Sequence, residues 1–162
     1  MDRHCARYLL DTLEPLGVDL TWDDHALGVT PDRTDEILVH PGSGSPTKNW
    51  PAERFAAVTG ALRRPVRLIV GEADQPVSAQ LGQRLNRLEH PSLEMLAARL
   101  AGCHAYLGND SGVSHLAGLC GARTVVMFGP TDPTVWRPIG PEVHVMPFES
   151  DPAEVASLLE NR

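Results

Sequence analysis

From Glu36 onward, short apolar runs alternate with amphipathic stretches of helical length, and few folds accept that pattern. Ile37-Leu38-Val39-His40 is apolar without alternation and runs into Pro41-Gly42, as a strand buried on both faces does. Pro51 opens a helix whose Phe55, Val58, Thr59 and Leu62 share one side. Val66–Val70 is a second strand, stopped by Gly71. The spacing predicts helices over 74–85, 92–101, 112–119 and 152–159, and strands over 104–107, 124–128 and 143–146. Ser92 is the expected N-cap of the second of these helices, with Leu93, Leu96, Ala97 and Leu100 as its apolar stripe. Strands that alternate with helices build stacked βα units on a parallel sheet. The expected fold class is therefore α/β, a Rossmann-like doubly wound parallel sheet of about six strands with right-handed crossovers. Ligands in such a sheet bind at the carboxyl ends of the strands.

The first 35 residues have a different character. Tyr8, Leu9, Leu10, Leu13 and Leu16 recur at helical spacing over residues 3–16, and Gly17 suits the C-cap. An acidic, weakly periodic stretch follows to residue 35 and reads as a linker. Charge is concentrated here: nine acids against three bases fall in residues 1–36, of a net charge of -7 for the whole chain. The body is nearly neutral and has no basic stripe, which argues against a nucleic-acid partner. No apolar run reaches the length of a membrane span, and the amino terminus lacks the pattern of a secretory signal. Three widely spaced cysteines, Cys5, Cys103 and Cys120, suit neither a disulfide framework nor a zinc site. They fit a reduced, cytoplasmic protein.

Three strand-end loops carry the candidate chemistry. In the first, residues 40–50, two glycines permit close approach of backbone amides to an anion. Ser43, Ser45 and Thr47 offer hydroxyls there, and Lys48, the only lysine in the chain, offers a point charge. This describes a phosphate site, although the spacing is neither that of a P-loop nor Gly-x-Gly-x-x-Gly; a plain surface turn has the same composition. In the second, Gly108-Asn109-Asp110-Ser111-Gly112-Val113-Ser114-His115 joins a strand to a helix. Asp110 or Ser111 can cap that helix, leaving amides near Gly112 for a polar ligand, and His115 points back toward the helix start. The bland alternative is an ordinary N-cap with a packed histidine. Ser111 lacks the glycines of a hydrolase nucleophile elbow. In the third, Glu72 follows the second strand, where an acid commonly accepts ribose hydroxyls; a solvated loop carboxylate is the alternative.

Other features carry less. Residues 129–133 form a strand-end turn. The seven histidines are scattered and no Asp-x-Asp pair appears, so no metal is expected. Trp50 and Trp136 are expected to pack.

Taken together, His40-Pro41-Gly42-Ser43-Gly44 through Lys48-Asn49-Trp50-Pro51, then residues 108–117, then Phe128-Gly129-Pro130-Thr131-Asp132-Pro133 resemble glycosyltransferase family nine. These are the ADP-heptose:lipopolysaccharide heptosyltransferases. The match spans roughly residues 36–146, and the block from Asp110 to Ala117 is its most specific part. The leading segment resembles the stretch that joins the two halves of such enzymes. The resemblance implies a GT-B glycosyltransferase, two Rossmann-like domains across a cleft, of which this chain is the C-terminal half. Residues 1–35 would then be inter-domain helix and linker, and 36–162 the nucleotide-sugar donor-binding domain.

The reaction so implied is inverting and metal-independent, moving heptose from ADP-heptose to the lipopolysaccharide core, with no cofactor beyond that donor substrate. Carried over by position, Lys48 binds the donor phosphates and stabilises the leaving group, with Ser43 and Gly44 in the same loop. Glu72 holds the adenosine ribose. Residues 90–93, including Ser92 and Leu93, border the adenine. Asp110, Ser111, Gly112 and His115 meet the pyrophosphate and sugar. The general base of the family is an aspartate of the N-terminal domain, which also presents the acceptor; this chain has neither. The expectation is donor binding with little or no transfer by the chain alone, in the cytoplasm or at the inner face of the bacterial inner membrane. A non-catalytic nucleotide-sugar binding module, a GT-B half using a UDP-linked sugar, and a structural domain with no ligand stay open beside it.

Overall fold

A computed structural model of the 162-residue chain describes residues 3–17, 27–71, 79–81 and 85–161. Its strands are β1 (Ile37–His40), β2 (Val66–Val70), β3 (Asn86–Glu89), β4 (Ala105–Asn109), β5 (Thr124–Phe128) and β6 (Val143–Pro147). They form one sheet in the order β3-β2-β1-β4-β5-β6, and every pairing is parallel. The chain runs outward from β1 to one edge, then returns and runs outward from β4 to the other. The reversal leaves a crevice at the carboxyl ends of β1 and β4, which pair in register from Ile37 with Ala105 to His40 with Gly108. The helices are α1 (Cys5–Asp11), α2 (Ala52–Ala61), α3 (Leu93–Gly102), α4 (Gly112–Leu119), the single-turn α5 (Pro133–Trp136) and α6 (Pro152–Glu160). No helix among the described residues is long and apolar enough to cross a membrane.

The two-residue period of a strand explains why runs such as Ile-Leu-Val have no polar alternation. Ile37, Val39, Leu68, Leu107, Val125 and Met127 face one way and pack with Phe55 and Val58 of α2 and Val155 and Leu159 of α6. Leu38, Ile69 and Tyr106 face the other way and pack with Leu96 and Leu100 of α3 and Ala117 of α4. Both faces are covered at the centre of the sheet, so the inner strands β1, β2, β4 and β5 are buried on both sides.

Several expected boundaries differ from those observed. The sixth strand, β3, is absent from the sequence reading. Asn-Arg-Leu-Glu is polar because β3 is an edge strand, paired only with β2 and incompletely buried. The strand expected over 104–107 lies at Ala105–Asn109, so Asn109 is its last residue and not part of the following loop. Leu93 does not belong to the apolar stripe of α3: it is 66% exposed, while Leu96 and Leu100 are buried. Trp50 is fully buried as expected, but Trp136 is half-exposed at the end of the short α5. Most of the helix expected over 74–85 lies outside the described residues. The amino-terminal helix is shorter than its periodicity suggests. It stops at Asp11, a separate 3-10 turn covers Glu14–Leu16, and Gly17 closes it in the left-handed conformation. Tyr8, Leu9 and Leu16, which set that periodicity, are exposed.

Residues 27–35 have no regular structure, yet residues 32–34 lie along the end of α3. The Asp32 and Thr34 amides donate to the Ala98 and Gly102 carbonyls, each at 2.9 Å, and Arg99 pairs with Asp32 at 3.1 Å. The approach is close enough that a Cβ on Gly102 would overlap the Asp32 carbonyl. Beside it, Glu36 and Arg67 form a two-pronged ion pair at 2.9 and 2.6 Å, which holds the Glu36 carboxyl below its usual range.

The contrast between the two leucines is testable. Leu159→Ala should lower unfolding free energy by about 2–5 kcal/mol, the range for a fully buried leucine. Leu93→Ala should stay within about 0.5 kcal/mol. Denaturant melts of the two variants read both numbers, and equal effects would contradict the core described above.

Candidate functional site

Three loops leave the carboxyl ends of β1, β4 and β5, which are neighbours in the sheet, and their side chains meet. The first loop turns at Pro46–Lys48, a single 3-10 turn with proline at its start. That turn directs Lys48 across the crevice, where Nζ lies 3.1 Å from Asp110 Oδ2. Thr131, from the loop after β5, donates its hydroxyl to the same oxygen at 2.9 Å. Asp110 is nearly buried, whereas the Lys48 side chain keeps 27% of its surface exposed. The lysine is thus accessible at the mouth of the crevice, with its charge balanced from below by a held carboxylate.

Ser111, not Asp110, caps α4. Its hydroxyl accepts from the Ser114 amide at 3.4 Å and lies 3.4 Å from His40 Nδ1. Gly112 is exposed at the amino end of the helix, and a Cβ on it would meet nothing within 4 Å. Helix starts of this kind present unpaired amides and a partial positive charge. Beneath the cap lies a buried set of hydroxyls. Ser114 Oγ donates to the Asn109 carbonyl at 2.5 Å and sits 2.9 Å from the Tyr106 hydroxyl. Gly108 is required above this set, since a Cβ there would collide with the Tyr106 oxygen.

Ser43 and Gly44 lie in the loop of Lys48. The Ser43 hydroxyl is 2.7 Å from both the Ser45 carbonyl and Asn49 Oδ1, so it braces the loop internally. Gly44 is exposed, with open space about its Cα. Ser92 caps α3 by accepting from the Met95 amide at 3.2 Å. Just before it, His90 has φ 46°, a left-handed conformation that carries a steric cost for a non-glycine residue. Leu93, Gly112, Val113, His115 and Leu116 line an apolar cavity of about 350 Å³ between α3 and α4. Lys48, Asp110, Ser111, Gly112 and His115 are therefore neighbours, and Leu93 reaches the same helix start. Glu72 lies outside the described residues. No three His, Cys, Asp or Glu side chains converge on a possible metal position among the described residues.

Sequence reasoning did not single out Asn109, His40, Tyr106, Ser114 or Thr131 as site residues. Thr131 carried a weak signal, because its strand-end turn follows the strand next to that of Asp110. Ser114 lay within the motif from Asp110 to Ala117 without a role, and Tyr106 gave no signal; only the fold shows that their buried hydroxyls meet.

The family model described as Glycosyltransferase family 9 (heptosyltransferase) matches residues 14–155. Two curated relatives are lipooligosaccharide heptosyltransferases 2. That of Haemophilus influenzae is 27% identical over 62% of this chain and 33% of its own length. That of Campylobacter jejuni is 28% identical over 62% of this chain and 35% of its own. The chain thus spans about a third of these relatives. Among solved structures, a family 9 glycosyl transferase from Veillonella parvula is 28% identical, with a TM-score of 0.73 over 91% of this chain and 49% of that one. E. coli heptosyltransferase WaaC with ADP is 21% identical and shares the fold, with a TM-score of 0.72 over 82% of this chain and 45% of that one.

His115 gives the site a pH signature. Burial disfavours its charged form, Lys48 and His4 add to that effect, and Asp110 opposes it, so its pKa falls below the ordinary imidazole value. Below about pH 6.5 the unfolded chain binds a proton here that the folded chain resists. Stability from this group is therefore complete above the unfolded pKa and is lost as pH falls toward the folded one. NMR titration should find His115 titrating below the ordinary value, and His115→Gln should flatten the acid side of the stability profile. A titration at or above the ordinary value would contradict this environment.

Proposed function

The chain belongs to glycosyltransferase family 9, the heptosyltransferases, and from that premise we propose that it binds the diphosphate of a nucleotide-sugar donor, ADP-heptose, at the crevice between β1 and β4. One observation carries the reading: the only lysine of the chain stands 3.1 Å from Asp110, at the mouth of that crevice, in the loop before α2. A phosphate oxygen arriving there meets a partly exposed ammonium and the amino end of α4, two positive features with no metal between them. Ser43, Gly44, Ser111 and Gly112 border that position. Ser92 and Leu93 border the adenine, Glu72 holds the ribose, and Asp110 and His115 face the sugar.

The mechanism follows from where charge develops. In an inverting transfer the bond from the anomeric carbon to the diphosphate oxygen breaks as the acceptor oxygen attacks from the opposite face. Negative charge grows on the departing diphosphate, and Lys48 with the α4 amides is aimed at it. Asp110 does not supply the base in this proposal. Its outer oxygen already accepts from Lys48 and Thr131, and it is better employed in orienting the lysine and accepting a sugar hydroxyl. The base and the lipopolysaccharide core acceptor belong to a further domain, joined through residues 1–35 to the donor domain at 36–162. Donor binding without efficient transfer is the activity we assign to these residues alone, on the cytoplasmic side of the membrane.

Calorimetric titration with ADP, UDP and ADP-heptose tests the reading. ADP and ADP-heptose should bind, and UDP should bind more weakly. Lys48→Ala should weaken ADP by about tenfold or more, the worth of one charge-assisted hydrogen bond. Because that change also leaves Asp110 unpaired, the pair Lys48→Ala with Asp110→Asn separates loss of attraction from new repulsion. Preference for UDP would move the donor to another sugar class. Tight ADP binding that no partner domain turns into transfer would favour a non-catalytic module. No binding by the folded chain would overturn the assignment.

A further inference from the structure

Asn109 ends β4 immediately before Asp110 and is fully buried. Its side chain is used at both ends. Oδ1 accepts from the Trp50 amide at 2.9 Å, and Nδ2 donates to the Pro41 carbonyl at 2.8 Å, with the Gly42 carbonyl at 3.4 Å. The orientation of the amide follows from its partners, since the Trp50 amide can only donate and the carbonyls can only accept. Asn109 therefore touches the first loop where it leaves β1 and again where it enters α2. The segment between those two contacts is residues 43–49, and it carries Lys48. The backbone carbonyl of the same Asn109 accepts from Ser114 in the first turn of α4.

From this arrangement we infer that Asn109 is a positioning residue. Its amide clasps the two ends of the Lys48 loop and sets that loop against Asp110 and the start of α4 before any ligand arrives. The inference rests on the donor-phosphate reading for its consequence, but the clasp itself is made only of groups of the chain. Pinning both ends of a short loop removes most of the backbone freedom that binding would otherwise have to remove. Only a side chain with a donor and an acceptor at opposite corners of one plane can hold both ends here. Aspartate keeps the Trp50 contact and sets an anion against two carbonyls; alanine keeps neither contact.

The test uses the whole chain and three variants. Asn109→Ala removes the clasp without burying a charge. Asn109→Asp keeps its volume and half its bonding, and serves if the alanine variant folds poorly. Leu159→Ala, in the core between the sheet and α6, controls for general destabilisation. Backbone hydrogen exchange, followed well below the unfolding transition, should speed up by about tenfold or more at Trp50 and across residues 43–49 in the Asn109 variants, but not in Leu159→Ala. ADP affinity should fall by a similar factor in the Asn109 variants only. Unchanged exchange in the loop would overturn the inference whether or not the chain binds ADP. Faster exchange with unchanged ADP affinity would reduce Asn109 to a structural residue and also overturn it. If the parent chain does not bind ADP, the donor reading fails. The clasp is then judged on exchange alone: loosening confined to the loop supports it, and its absence contradicts it.

Discussion

The parallel pairing of β1 with β4 is the constraint on which the rest of the site depends. Because the chain leaves β1 toward one edge of the sheet and returns to lay β4 on its other side, the loops that follow these two strands diverge around a shared crevice. Residues 62 positions apart, Lys48 and Asp110, then become neighbours. The same register puts Asn109 one step below Asp110, where its amide reaches both ends of the opposite loop. Adding β5 beside β4 brings in Thr131. None of these contacts exists within a single βα unit. They come from the order of the strands.

The proposed anion site combines one cation and a helix start with a carboxylate, so it is not strongly positive. Lys48 is balanced by Asp110, and Asp110 is held by Thr131, so neither charge is stranded in a poorly solvated position. In the proposed reading, an incoming phosphate competes with the Asp110 carboxylate for the lysine. The start of α4 adds partial charge from backbone amides that have no other partner within the helix. The net charge of the chain is -7, largely from its first 36 residues, so the attraction proposed at the crevice would be local and would not arise from a positive body.

Much of this was legible in the residues, for reasons that differ from element to element. β1, β2 and β5 are apolar without alternation because both faces of the sheet are covered, and their limits coincide with those read from the sequence. The helix at Gly112–Leu119 has the limits expected of it, although the sequence left its cap open between Asp110 and Ser111. β3 was not, because an edge strand needs little apolar surface and Asn-Arg-Leu-Glu carries none of the usual signal. Leu93 fitted a helical stripe by spacing, yet the stripe turns outward at the first turn of α3, toward the apolar cavity beside α4. Lys48 stood out as the only lysine of the chain, in a strand-end loop rich in glycine and serine, and Asp110 as a possible cap at a helix start; that the two meet is legible only in the fold. Asn109 could not, because a buried amide has no periodicity, and its partners are main-chain groups 59 and 68 positions away.

A crystal structure of the chain with ADP would show whether the crevice between β1 and β4 takes the donor's diphosphate. The terminal phosphate should lie within hydrogen-bond reach of Lys48 Nζ and against the amino end of α4, with the 43–49 loop still held at both ends by Asn109. Phosphates bound elsewhere, with Lys48 still resting on Asp110 at saturating nucleotide, would contradict that placement.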